Sequence, residues 1–306
     1  MTSIKEIAKL ANCSVATVSR VINKRPHVTE EKRKNVEKII KELSYRPNLI
    51  ARNLSFSKTY NLGIIVPYVN NPYFDKLLNS ILTEAFKSNY KITLLPTNYN
   101  KKVELEYLEE FAAKLYDGLI ITSKSNEIST IIPYIKYGPI IFCENINEHD
   151  VSCVYLDRAS SYNNLFAYFA QQNLKHIGFT ANRHDHSSST NILLKCIKEH
   201  FPFFKEKDII YNCTSYEDGI KAGKYFSKNK YDGILTNGDE VAAGIIRAYK
   251  DLKLPFIVGQ DNLLFSKIMN FSTIDNQVTA IGKTAVSLFL NPQNKKIKLT
   301  PQFIKR

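Results

Sequence analysis

Residues 3–23 read SIKEIAKLANCSVATVSRVIN. Ser3 followed three residues later by Glu6 is a capping-box pattern. Ile4, Ile7, Ala8 and Ala11 then recur at helical spacing and predict one apolar face. Asn12 ends that helix, because Asn is the best substitute for Gly where a sharp turn needs φ > 0. Ser14 caps a second helix, and Val18, Val21 and Ile22 point back to the same small core. Val15, Ala16, Thr17, Ser19 and Arg20 are left on its outer side. Small residues at the start of that helix permit close approach to the floor of a major groove. The Thr17 and Ser19 hydroxyls suit phosphates, and the Arg20 fork suits O6 and N7 of a guanine.

The chain continues as HVTEEKRKNVEKIIKELSYRPN over 27–48. Thr29 is placed to cap a third helix running to about Leu43, with Glu30 and Glu31 complementing its positive end. Val36, Ile39, Ile40 and Leu43 form its apolar stripe. Two short helices, a tight turn and a third helix make a helix-turn-helix arrangement. A three-helix bundle without a DNA role would show the same pattern. Charge argues for the first reading: residues 1–60 hold 13 Lys/Arg against 5 Asp/Glu, whereas the remainder holds 29 against 24. A compact basic head on a nearly balanced body suits a polyanion partner. Beyond it, Arg46-Pro47-Asn48 leads into Leu49–Leu54, a segment too short to be a stable helix by itself. A bound minor groove could order it, with Leu54 as an apolar wedge between base steps. A plain linker is the alternative.

SIKEIAKLANCSVATVSRVIN, HVTEEKRKNVEKIIKELSYRPN and IARNL together resemble the DNA-binding domain and hinge of the lactose-repressor (LacI/GalR) family. The resemblance implies that Val15, Ala16 and Arg20 read bases. It implies that Ser14, Thr17, Ser19, Asn23, His27, Thr29 and Asn48 contact the DNA backbone, and that Leu54 intercalates. Asn12 departs from the family's usual Gly.

From residue 61 the pattern changes. Asn61-Leu62-Gly63-Ile64-Ile65-Val66 is apolar without alternation, as in a strand buried on both faces of a parallel sheet. Strand-like runs near 91–95, 117–122, 139–144, 151–156, 175–180, 209–213, 231–236 and 255–260 alternate with amphipathic stretches near 73–88, 102–115, 160–172, 188–200, 216–228, 239–250 and 278–290. That alternation predicts an α/β body with right-handed crossovers. Tyr116-Asp117-Gly118-Leu119-Ile120-Ile121-Thr122 is echoed by Tyr231-Asp232-Gly233-Ile234-Leu235-Thr236, as two similar lobes would produce. The segments NLGIIVP, NPYF, YDGLIIT, KHIGFT, NGDEVAAG, GQDN and STID extend the resemblance to the family's two-lobed, periplasmic-binding-protein-like sensor domain. The organisation expected is therefore a helix-turn-helix domain over 1–45, a hinge over 46–60 with a short helix about 48–54, and an effector-binding and dimerisation domain over 61–306.

Ligands of such lobes sit in the cleft between them, at the carboxyl ends of strands. Tyr73 and Phe74 open the first body helix and could stack on a sugar or purine, or pack the core. Asp261 matches a family carboxylate that binds ligand hydroxyls or a ring nitrogen. Glu144, Thr214 and Gly238 fall at cleft-lining positions by the same alignment. Asn191 stands where many members place an effector-binding Arg.

No catalytic residues, cofactor or metal are expected. There is no Gly-rich phosphate loop, GxSxG or H-E-x-x-H. His184-Asp185-His186 among serines reads as a polar loop, and Lys295–Lys298 as solvated surface. The five cysteines form no framework and suit a reducing compartment. With no signal-peptide pattern and no apolar run near the ~18 residues of a membrane span, a cytoplasmic protein without membrane contact is expected. The functional expectation is a homodimeric DNA-binding regulator, by family default a repressor, with double-stranded operator DNA and a small-molecule effector, a sugar or related metabolite, as partners. A pleiotropic regulator controlled by a protein partner is the alternative.

Overall fold

A computed structural model describes residues 3–45, 58–147, 149–182 and 188–306. The chain divides into two compact units, Met1–Thr59 and Tyr60–Arg306.

In the first unit, α1 (Ile4–Leu10), α2 (Val15–Ile22) and α3 (Glu30–Glu42) enclose a core of Ile7, Ala8, Ala11, Val18, Val21 and Val36. The reciprocal Ser3–Glu6 capping box is formed. Asn12 takes φ 45°, which lets the chain reverse between α1 and α2. Ser14 caps α2 by accepting from the Thr17 amide at 3.1 Å. Thr29 occupies the cap position of α3 but makes no side-chain cap bond. That helix end is exposed, so water can satisfy its amides while Glu30 and Glu31 supply the favourable charge.

The second unit holds two six-stranded sheets. The first contains β1 (Asn61–Val66), β2 (Lys91–Pro96), β3 (Gly118–Ile121), β4 (Ile140–Phe142), β5 (Ser152–Leu156) and β11 (Lys296–Leu299), in the order β11-β5-β4-β3-β1-β2. All its pairings are parallel. The second contains β6 (Ile177–Thr180), β7 (Ile209–Ile210), β8 (Gly233–Leu235), β9 (Phe256–Gln260), β10 (Ser272–Asp275) and β12 (Gln302–Ile304), in the order β12-β10-β9-β8-β6-β7. Only the β10–β12 pair there is antiparallel. Helices flank each sheet, and the central strands are buried on both sides, which explains their unbroken apolar runs.

The chain passes between lobes three times: after β5, after β10 and after β11. The first lobe is thus built from residues 60–156 and 278–299, and the second from residues 158–275 together with β12. The helix Val278–Leu290 returns to pack Val278, Ile281, Ala285, Val286 and Phe289 against Leu62, Leu77 and Ile81. The crossing segments are bonded to one another. Asp157 N donates to Leu299 O at 2.8 Å, Lys298 Nζ to Asp157 Oδ2 at 3.0 Å, and Gln277 Nε2 to Thr300 O. The Lys295–Lys298 stretch is therefore largely an edge strand and not merely a solvated run. Lys296 and Lys298 face water while Ile297 and Leu299 pack on the first lobe's core.

The internal echo has a physical cause. In the first lobe Asp117 Oδ2 accepts from Tyr60 N at 3.0 Å, at the entry to β1. In the second, Asp232 Oδ2 accepts from Lys175 N and His176 N at 3.0 and 2.9 Å, at the entry to β6. Each carboxylate satisfies amides that have no ladder partner, so each lobe carries the same Tyr-Asp-Gly start to its neighbouring strand.

Candidate functional site

The outer face of α2 leaves Val15, Ala16 and Arg20 exposed, with Thr17 and Ser19 half-buried beside them. Val15 is 42% exposed, an unusual position for a branched apolar side chain unless another surface covers it. Ser14 Oγ lies 2.9 Å from Thr17 Oγ1, and Asn23 Nδ2 donates to Ser19 O at 2.9 Å. These bonds fix the polar side chains at both ends of the helix. His27 and Thr29 are exposed on the loop leading into α3. An exposed helix start of small residues, one Arg and ordered hydroxyls has the shape and chemistry to enter a groove. Asn48 and Leu54 lie outside the described residues, as does His184-Asp185-His186.

Between the lobes of the second unit lies a cavity of about 260 Å³. Tyr73, Phe74, Glu144, Thr214, Gly238 and Asp261 all line it. Asn191 does not: it faces outward from the helix Ser188–His200, while Thr190, Ile192 and Leu193 of the same turn reach the wall.

The first lobe presents aromatic rings. Asn71-Pro72 starts the helix Pro72–Lys87, with Pro in the first turn, where its missing amide costs nothing. Asn71 Oδ1 accepts from the Tyr73 and Phe74 amides at 3.2 and 3.3 Å. The two rings meet edge-on at 5.1 Å. They line the cavity and also pack on the core beneath it. Glu144 Oε1 accepts from Lys124 N at 2.8 Å and ties two strand-end loops together.

The second lobe presents a carboxylate. Asp261 is buried, and burial pushes its carboxyl up to about 7 against the opposing pull of Asn276, Arg158 and Lys76. Asn276 Nδ2 donates to Asp261 Oδ1 at 2.7 Å. Asp239, at the floor, accepts from Leu263 N and Thr273 Oγ1, both at 2.6 Å. A Cβ built at Gly238 would lie 4.0 Å from Asp261 Oδ2, with nothing nearer.

Sequence reasoning missed Arg158. It begins the helix Arg158–Gln171, directly after the first crossing, and lines the cavity. Burial opposes its charge, yet Tyr162, Tyr73 and Asp261 hold the guanidinium protonated, above its ordinary range. No local pattern marks it; only the crossing brings it beside Asp261. Asn237 was missed too. It accepts from Thr180 Oγ1 at 2.6 Å and donates to Cys213 O at 2.7 Å, which knits three strand ends below Thr214. An Arg, a near-neutral carboxyl, fixed amides and two rings around one cavity can bind a small polar molecule with an apolar face. Among the described residues no cluster of His, Cys, Asp and Glu is arranged to hold a metal, and no helix is long and apolar enough to cross a membrane.

A helix-turn-helix head attached to a two-lobed α/β body defines a class of transcriptional regulators. Residues 3–48 match the family described as bacterial regulatory proteins, lacI family. Residues 59–292 match periplasmic binding proteins and sugar binding domain of LacI family. The chain belongs to the LacI family and is a DNA-binding transcriptional regulator. It is 41% identical over 310 residues to catabolite control protein B of Bacillus subtilis (strain 168), covering 100% of both chains. It is 33% identical to the NTD biosynthesis operon regulator NtdR of the same organism, covering 100% of this chain and 97% of that one. Among solved structures, the Lac repressor dimer bound to operator and the anti-inducer ONPF shares the fold with a TM-score of 0.83 at 18% identity, covering 100% of this chain and 98% of that one.

Proposed function

We propose that this regulator is a homodimeric repressor whose operator affinity is set by a small polyhydroxylated molecule, a sugar or a close relative, held between the lobes. The observation that carries this reading is the convergence of Arg158, Asp261, Tyr73 and Phe74 on one cavity. Arg158 and Asp261 suit paired hydroxyls, and the rings suit the apolar face of a pyranose. Val15, Ala16 and Arg20 read base edges. Ser14, Thr17, Ser19, Asn23, His27, Thr29 and Asn48 hold the phosphates, and Leu54 wedges the minor groove. Ligand changes the spacing of the lobes and biases the hinge between ordered and unordered states on DNA.

The dimer uses exposed apolar side chains that a monomer would leave in water. Leu82 and Phe86, four residues apart on one helix face, are 43% and 81% exposed, and Leu264 and Ile268 are 66% and 72% exposed. Thermal denaturation of the full chain against a panel of neutral mono- and disaccharides tests the effector. A cleft ligand at 100 times its Kd stabilises by about 2.7 kcal/mol. A panel without any shift, together with operator binding that no sugar alters, would remove the small-molecule reading and leave control by a protein partner.

A further inference from the structure

At the end of β9 the chain turns through two successive residues of positive φ, Asp261 at 90° and Asn262 at 47°. The left-handed well accommodates Asn readily, whereas an Asp at 90° is strained and persists only where its surroundings over-determine it. Within its own lobe this elbow is held tightly. Asp261 N donates to Ile274 O at 2.7 Å, and Asn262 Nδ2 to Asp275 Oδ2 at 3.0 Å. Leu263 N donates to Asp239 Oδ2 at 2.6 Å. One further tie comes from the other lobe. Lys76, on the helix Pro72–Lys87, donates from Nζ to Asp261 O at 3.0 Å and to Asn262 O at 3.2 Å. The unusual backbone brings two successive carbonyl oxygens to one point, and a single ammonium with three rotatable donors serves both.

We propose that Lys76 is a positioning residue that latches the first lobe onto the Asp261–Asn262 elbow and so sets the spacing of the two lobes. Its acceptors are backbone atoms, so a shift of the elbow when the Asp261 carboxylate is engaged is transmitted directly to the first-lobe helix that carries Tyr73 and Phe74. The proposal deepens the cleft reading and rests on it for its regulatory meaning. The latch itself requires no ligand.

The test uses full-length protein without added ligand. Spin-labelled unnatural residues replace the exposed Lys102 and Lys224, one in each lobe, and the labelled chain is diluted with unlabelled protein. Pulsed electron resonance then gives the inter-lobe distance distribution. Hydrogen bonds to a charged group shift an equilibrium on the order of 10-fold or more. Lys76→Met, which keeps length and apolar stem, is expected to move the population toward longer distances by about that factor. Lys76→Arg restores the parent distribution. Lys76→Gln, neutral and shorter, carries the same test should the Met variant fail to fold. A parent-like distribution in Lys76→Met, or an Arg variant as open as the Met variant, would overturn the latch. Because no sugar is present, failure here leaves the effector screen untouched, and a negative screen leaves this result standing.

Discussion

Asn276 donates its side-chain amide to Asp261 Oδ1 at 2.7 Å. Asn276 lies on the second crossing between the lobes, so a residue of that crossing holds the carboxyl that faces the cavity. This bond favours the charged form of Asp261 but does not outweigh burial.

An acid whose folded value exceeds its unfolded value binds its proton more tightly when folded, so its contribution falls as pH rises between the two. For Asp261 the window runs from 3.8 to about 7. Asp239, also raised by burial, acts in the same sense. Asp261→Asn is expected to be more stable than the parent above pH 7, by on the order of 2–4 kcal/mol, and to lose part of the pH slope. Asn also tolerates the positive φ. Chemical denaturation at pH 5 and pH 8 reads both effects, and a variant weaker than the parent at pH 8 contradicts them. Effector response should disappear with the carboxylate.

Gly238 takes φ −173°, ordinary extended backbone, and the space beyond its Cα is open. Gly238→Leu should therefore fold normally while its side chain occupies the cavity beside Asp261. Any sugar-induced shift in melting temperature should vanish while operator affinity is retained. A retained shift would place the ligand elsewhere.

Arg20→Ala should weaken specific operator binding by roughly 1–3 kcal/mol and relax preference at one base pair. Binding to random duplex should fall much less. Selection from a randomised operator library measures both, and an unchanged consensus would mean that another residue reads that base.

A close helix crossing sets the fourth prediction. A Cβ at Gly244 would lie 2.1 Å from Tyr216 O, and one at Gly219 would lie 2.3 Å from Val241 O. Gly244→Ala improves helix propensity by about 1 kcal/mol, but separating the two backbones costs about 1–3 kcal/mol or more. Net destabilisation is expected, visible as a lowered unfolding midpoint, and an unchanged or raised midpoint would show that the crossing can relax.

Much of this molecule could be read from local chemistry. Asn12 and the caps at Ser3 and Ser14 declare the turn of the head, because their roles depend on neighbours in sequence. The paired Tyr-Asp-Gly segments disclose two lobes, because each Asp serves the same amides in its own sheet. Arg158 and Asn276 were not legible as site residues, since only the crossings bring them to Asp261. Lys296–Leu299 has the alternation of an edge strand, but its partner β5 lies some 140 residues earlier. The expectation at Asn191 followed alignment, and the actual turn of that helix presents Thr190 instead.

The interleaving of the two lobes along the chain dictates an order of assembly. As synthesis proceeds from the amino end, residues 158–275 emerge complete enough to collapse while the earlier lobe still lacks the helix Val278–Leu290 and the strand Lys296–Leu299. Until those arrive, Leu62, Leu77 and Ile81 have no cover on that side, and the edge of β5 stays unpaired. The second lobe, which at that stage lacks only its edge strand β12, is thus free to collapse first beside a sticky, half-built neighbour.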